Sequence, residues 1–106
     1  LPALMSQLDL RPARLAAGKK SHTEFSPDGT RDRLDALCED RDGNLVALEF
    51  KVEGGERRGV EQLLRYVHQL ASSRGTDERL AHYRGDSLEV YGVLVTGVAD
   101  QATREA

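Results

Sequence analysis

Apolar and polar side chains alternate with a period of two through residues 32–40 and again through 44–53. Leu34, Ala36 and Cys38 interleave with Arg33, Asp35, Leu37 and Glu39, and Val46, Leu48, Phe50 and Val52 interleave with Glu49 and Lys51. Successive side chains on a strand point to opposite faces, so both segments are predicted strands. Gly54-Gly55 breaks the pattern. Beyond it Val60, Leu63, Leu64, Val67 and Ala71 recur at the spacing of an amphipathic helix over 56–71. Leu1, Leu4, Met5 and Leu8 predict a helix over 1–8. A short strand is expected near 13–25, interrupted by Gly18-Lys19-Lys20 and Ser26-Pro27-Asp28-Gly29. After a polar loop, "LEVYGVLVT" (88–96) is nearly continuous in apolar residues, as in a covered sheet centre, and a further helix starts near Ala99. The order α-β-β-β-α-β-α, with local strand pairing and one helical crossover, predicts an α/β fold: a mixed central sheet flanked by helices.

Hairpin register decides which side chains meet. A two-residue Asp42-Gly43 turn would pair Asp35 with Phe50 and place a carboxylate on the apolar face. A three-residue loop, Arg41-Asp42-Gly43 with Gly43 left-handed, stacks Leu34 on Phe50, Ala36 on Leu48 and Cys38 on Val46, and it sets Asp35 beside Glu49. The second register keeps the apolar set together and is expected, with Val46, Leu48 and Phe50 toward the core and the charges of "LEFK" (48–51) on the face away from it. Two carboxylates side by side repel unless a cation lies between them. A hard divalent ion such as magnesium, held through carboxylate oxygens, would supply that charge. Lys51, one step along the strand, could then orient a water nucleophile or stabilise charge developing on a phosphate. Taken alone, Glu49-x-Lys51 would be an ordinary solvated strand end. Asp35 opposite is what raises it to a candidate site.

The chain has 106 residues, the length of a single domain, with 39% apolar and 31% charged residues. It is expected to be one domain over 1–106 and a piece of a longer protein. No apolar run reaches the roughly 20 residues that span a bilayer. One cysteine, Cys38, excludes an internal disulfide and argues against a cysteine-based zinc site, so an intracellular, cytoplasmic setting is expected. A net charge of −3 provides no global basic field for nucleic acid, although a catalytic face can be locally basic.

"RLDAL" (33–37), "DGNLVALEFK" (42–51) and "VEQLLRYV" (60–67) resemble the PD-(D/E)XK nuclease superfamily, and within it the NucS-type endonucleases and RecB-like nuclease domains. The resemblance covers about residues 31–98. It implies a restriction-endonuclease-like fold and Mg2+- or Mn2+-dependent hydrolysis of DNA phosphodiester bonds. By it, Asp35 and Glu49 are the metal-binding acids, Lys51 is the catalytic lysine, and Gln62 and Tyr66 are the helix residues that help position substrate. One helical turn separates the last two, so they share a face. DNA repair is among the roles such domains serve, and cutting both strands of a duplex usually takes two active sites, as in a homodimer. Two features depart from the family. The glutamate often carried by a helix before the first strand is missing from residues 1–8, with Glu24 the only substitute nearby, and the separate DNA-binding domain of NucS-type proteins has no counterpart here.

A different class of function is a nuclease-like module that binds nucleic acid or a protein partner without cutting. His22, His68 and His82 share no metal-ligand spacing and read as surface residues, His82 in a loop that could meet substrate. Cys38 reads as a buried small apolar residue. Arg57, Arg58, Arg65, Arg79 and Arg84 are candidates for phosphate contacts.

Overall fold

The structure is a computed structural model and describes residues 2–18, 21–29, 32–51 and 54–96. Helix α1 (Pro2–Gln7) precedes two short strands, β1 (Arg11–Pro12) and β2 (Thr23–Phe25). Strands β3 (Leu34–Glu39) and β4 (Leu45–Lys51) follow, then helix α2 (Glu56–Ser73), a 3₁₀ helix (Glu78–Tyr83) and strand β5 (Val90–Thr96). The strand expected near 13–25 is thus replaced by two pieces, one of them just upstream. The helix expected from Ala99 lies outside the described residues.

The sheet runs β1-β3-β4-β5, with β2 also paired to β3. β3 is antiparallel to β1, β2 and β4, and β5 is parallel to β4, so the sheet is mixed. A parallel neighbour cannot be reached through a tight turn, and α2 is the crossover that makes it possible. The α/β fold with a helix-flanked mixed sheet is therefore present, with two short strands rather than one ahead of the hairpin.

The hairpin register is the three-residue one. Ala36 pairs with Leu48 and Cys38 with Val46, and the Asp40 N–H donates to the Asn44 carbonyl at 3.1 Å, closing the loop Arg41-Asp42-Gly43. Gly43 has φ +85°, the left-handed conformation that glycine adopts most cheaply. The Asp40 carboxylate secures the loop by accepting from the Asp42 and Asn44 backbone N–H groups, the Asn44 amide and the Tyr91 hydroxyl. Tyr91 belongs to β5, so one side chain fixes both the turn and its neighbour strand.

Both sheet faces are covered, and this corrects the expected sidedness. Leu37, Leu45 and Ala47 pack beneath Leu63, Tyr66 and Leu70 of α2 and beneath Leu80 and Tyr83 of the 3₁₀ helix. Ala36, Cys38, Val46 and Leu48 pack on the other face against Met5 and Leu10. The face carrying Asp35, Glu49 and Lys51 is the one under α2, not a solvated one. Leu34 also departs from expectation. It joins the α2-side cluster together with Phe25, its partner across β2.

The buried stripe of α2 is Gly59, Leu63, Tyr66 and Leu70, whereas Val60 (44% exposed) and Leu64 (63% exposed) face outward. The helix turns this way because it packs close to the sheet at two glycines, Gly59 of α2 and Gly92 of β5. A Cβ on Gly59 would lie 2.6 Å from Lys51 Cγ, and one on Gly92 would lie 2.7 Å from Leu63 Cγ. β5 lies at the sheet edge and is half-buried, not in a covered centre, because only β4 pairs with it among the described residues.

Candidate active site

β3 and β4 part company just past the Ala36–Leu48 pair, the last recorded between them at this end, while β4 continues alongside β5 to Lys51. Side chains bridge the gap. The Asp35 N–H donates to Glu49 Oε1 at 2.7 Å, and the Phe50 N–H donates to Asp35 Oδ2 at 2.7 Å. Each carboxylate thereby satisfies an amide on the opposite strand, which would otherwise lack a ladder partner. Glu49 is 2% exposed and Asp35 half-buried. Hydrogen-bond exchange at this separation orients both carboxylates and leaves Asp35 Oδ1 and Glu49 Oε2 free of the backbone amides.

Lys51, two residues on and on the same face, places its Nζ 3.4 Å from Glu49 Oε2. Its aliphatic stem lies directly under Gly59 of α2, which has no side chain to displace it. Gln62 and Tyr66 also come together: Gln62 Nε2 donates to the Tyr66 hydroxyl at 2.8 Å, and that hydroxyl donates to the Arg33 carbonyl at 3.1 Å. Tyr66 is fully buried. Burial, and next the charge of Glu49, push its hydroxyl pKa up. Its single proton is committed to the backbone one residue before Leu34, so Tyr66 pins α2 to the start of β3.

The electrostatics single out Glu49. Burial raises its pKa and the neighbouring Asp35 charge adds to that rise, while the Asp35 N–H and Lys51 oppose it. A carboxylate half-compensated by its own fold has capacity for another cation. The free oxygens of Asp35 and Glu49 are hard donors of the kind that magnesium and manganese take. Among the described residues no group of three or more histidine, cysteine, aspartate or glutamate side chains is gathered for a metal. Glu24 stands across β3 from Asp35 by the β2 register, with φ +52°, and is exposed.

A second buried glutamate, Glu39, sits on β3 and is also 2% exposed. Arg11 contacts its Oε2 at 2.7 Å, Arg14 its Oε1 at 2.9 Å, and the Tyr83 hydroxyl donates to Oε1. Burial alone would raise its pKa, but the Tyr83 and Arg14 hydrogen bonds and the two guanidinium charges hold it below the ordinary value. Its charge is fully answered. It ties β1 and the 3₁₀ helix to β3.

The other candidates separate in the same way. Arg65 lies 3.7 Å from Asp32, Arg79 is clamped on Asp77 at 2.7 Å and stacks over the Phe25 ring, and Arg84 donates to the Arg74 and Asp77 carbonyls. His22 is half-buried rather than a surface residue, and desolvation lowers its pKa. Cys38 is buried, and burial drives its thiol pKa up to about 12, so it is an inert core residue. Reading the sequence missed Gly59 and the Glu39 network. A glycine within an otherwise periodic helix was the available signal for the first; nothing in residue spacing signalled the second.

The model of the endonuclease NucS C-terminal domain family matches residues 27–104, well over half of the chain. The chain belongs to this family. No curated protein and no solved structure matches it significantly. The match spans Asp35, Glu49, Lys51, Gln62 and Tyr66, and so associates the domain with endonucleases. No helix among the described residues is long and apolar enough to cross a membrane.

Proposed function

We propose that this domain is a DNA endonuclease of the PD-(D/E)XK type that requires Mg2+ or Mn2+. The reading is supported by its NucS membership. The observation that carries it is the Asp35–Glu49 pair, two neighbouring carboxylates held in place by each other's backbone with one only partly answered in charge. Asp35 and Glu49 would hold the metal, which when bound supplies positive charge at the scissile phosphate. Lys51, held against Glu49, keeps an ammonium at the site to position water and offset charge on the phosphate oxygens. Gln62 and Tyr66 act as positioning residues, since their hydrogen bonds fix α2 over the pair. Burial under α2 lowers the local dielectric and strengthens each of these interactions.

The second reading, a nuclease-fold module that binds nucleic acid or a protein without cutting, is favoured by the two-carboxylate size of the site among the described residues. Calorimetric titration with Mg2+ and Mn2+ separates the two. Wild type should bind metal and cleave DNA, and Asp35→Ala should do neither. Full cleavage by Asp35→Ala would sink the assignment. An intact fold that binds no metal and cuts no DNA, yet associates with DNA in a salt-dependent way, would establish the second reading.

A further inference from the structure

Of the arginines that might contact phosphate, Arg57 and Arg58 lie nearest Lys51 in one groove. Arg79 is held by Asp77 and Phe25 and Arg84 by backbone carbonyls, whereas Arg65, exposed, lies 3.7 Å from Asp32 and over the Tyr66 ring. Among the described residues Arg57 pairs only with Glu61, at 3.8 Å with both side chains exposed, a pair of little energetic weight. Arg58 is exposed and makes no ion pair or hydrogen bond among the described residues. Both line one open groove of about 570 Å³ together with Lys51, Gly54, Gly55 and Glu61.

We infer that this groove is a subsite for a second backbone phosphate of the nucleic-acid strand whose scissile phosphate sits at the carboxylate pair; this rests on the nuclease reading above. Three cationic and one anionic side chain line the groove, a local excess of two positive charges on a chain whose net charge is −3. Such a local reversal attracts a polyanion that the whole molecule would repel. Lys51 lines the groove and also contacts Glu49, so the groove adjoins the candidate site through that side chain. Gly54 and Gly55 present backbone without side chains between the cations. A ligand with one phosphate at the carboxylate pair and another in the groove carries at least two phosphates, as a polynucleotide does and a nucleoside monophosphate does not. Guanidinium groups suit phosphate oxygens through paired N–H donors.

The test is binding of a labelled DNA duplex to wild type and to the double variant R57A/R58A across a salt series, with chelator present so that no cleavage occurs. Both side chains are exposed, and a thermal melt confirms that the double variant folds as wild type does. Loss of that one phosphate contact should reduce the slope of log affinity against log salt by about 1 in the double variant. An unchanged slope with wild type binding would overturn the subsite and leave the nuclease reading to the Asp35 titration. Failure of wild type to bind the duplex would also overturn the subsite; cleavage in magnesium then shows independently whether the nuclease reading stands.

Discussion

Replacing Gly59 by alanine should damage catalysis more than stability, because the glycine clears space for the Lys51 stem. An alanine Cβ there would lie 2.6 Å from Lys51 Cγ, 3.4 Å from Lys51 Cδ and 3.2 Å from Leu94 Cδ1. Carbon atoms in contact prefer about 3.5–4.0 Å, so the closest approach is short by roughly 1 Å. Cγ is mid-chain and cannot swing aside as a side-chain tip would, so the stem or the helix must move. Two stability effects oppose each other. Alanine in a helix interior gains about 1 kcal/mol over glycine, while overpacking costs roughly 1–3 kcal/mol. The net is a loss of about 0–2 kcal/mol, a fall of up to about 10 °C for a domain of this size. Moving a positioned group by about 1 Å can cost on the order of 100-fold in rate. Single-turnover cleavage measured beside a thermal melt separates the two quantities. The matched control is Gly92→Ala, whose Cβ would press on Leu63 at 2.7 Å and not on Lys51. It should cost stability through packing with a smaller loss of turnover. Wild-type turnover in Gly59→Ala, or a larger catalytic loss in Gly92→Ala, would refute the placement of Lys51.

Glu49→Gln should remove metal binding yet raise the metal-free thermal midpoint at neutral pH. Glu49's folded pKa is above the ordinary 4.5, so the stability it contributes is present below that value and lost as pH rises through the raised one; calorimetric scans in chelator would show it, and a lower midpoint would contradict it. Tyr83→Phe removes a hydroxyl bonded to the Glu39 carboxylate and should cost about 1.5–3 kcal/mol in denaturant unfolding. Glu39's pKa is lowered, so its contribution is present above the ordinary 4.5 and lost as pH falls through the folded value; in Tyr83→Phe that loss should begin at higher pH in an acid titration followed by circular dichroism. Tyr66→Phe should lose about 1 kcal/mol of stability through the Gln62 and Arg33 hydrogen bonds, and slow cleavage less than Lys51→Ala does in the same assay.

The hairpin was readable from the sequence because its register follows from a single choice. Only the three-residue loop keeps Ala36 with Leu48 and Cys38 with Val46, and Asp35 and Glu49 are adjacent as a consequence. The side of the sheet they occupy was not readable. Two covered faces require helices from distant parts of the chain, and alternation along β3 and β4 is the same whichever face is under α2. The orientation of α2 was obscured for a related reason: Val60 and Leu64 look like core residues by hydropathy, yet Gly59 and Tyr66 face the sheet because close approach and a buried hydroxyl serve the contact better. β5 resembled a central strand because an edge strand whose two faces both meet core clusters carries the same apolar run as one paired on both sides.

Two glutamates equally buried in one sheet illustrate how structure distinguishes support from chemistry. Glu39 meets two guanidinium groups and a tyrosine, and its pKa is depressed. Glu49 meets an aspartate, a backbone amide and one partly exposed lysine, and its pKa is elevated. The fold neutralises the first charge completely and leaves the second in need. That incompleteness is tolerable because each carboxylate of the Asp35–Glu49 pair spends one oxygen on the opposite strand's amide, so holding them together costs no unsatisfied backbone where the strands separate. The same two bonds stop the carboxylates from turning away from each other to relieve their repulsion. A pair fixed in this way would be preorganised for the proposed metal: the energetic cost of proximity is met when the domain folds, and a bound divalent ion would recover it.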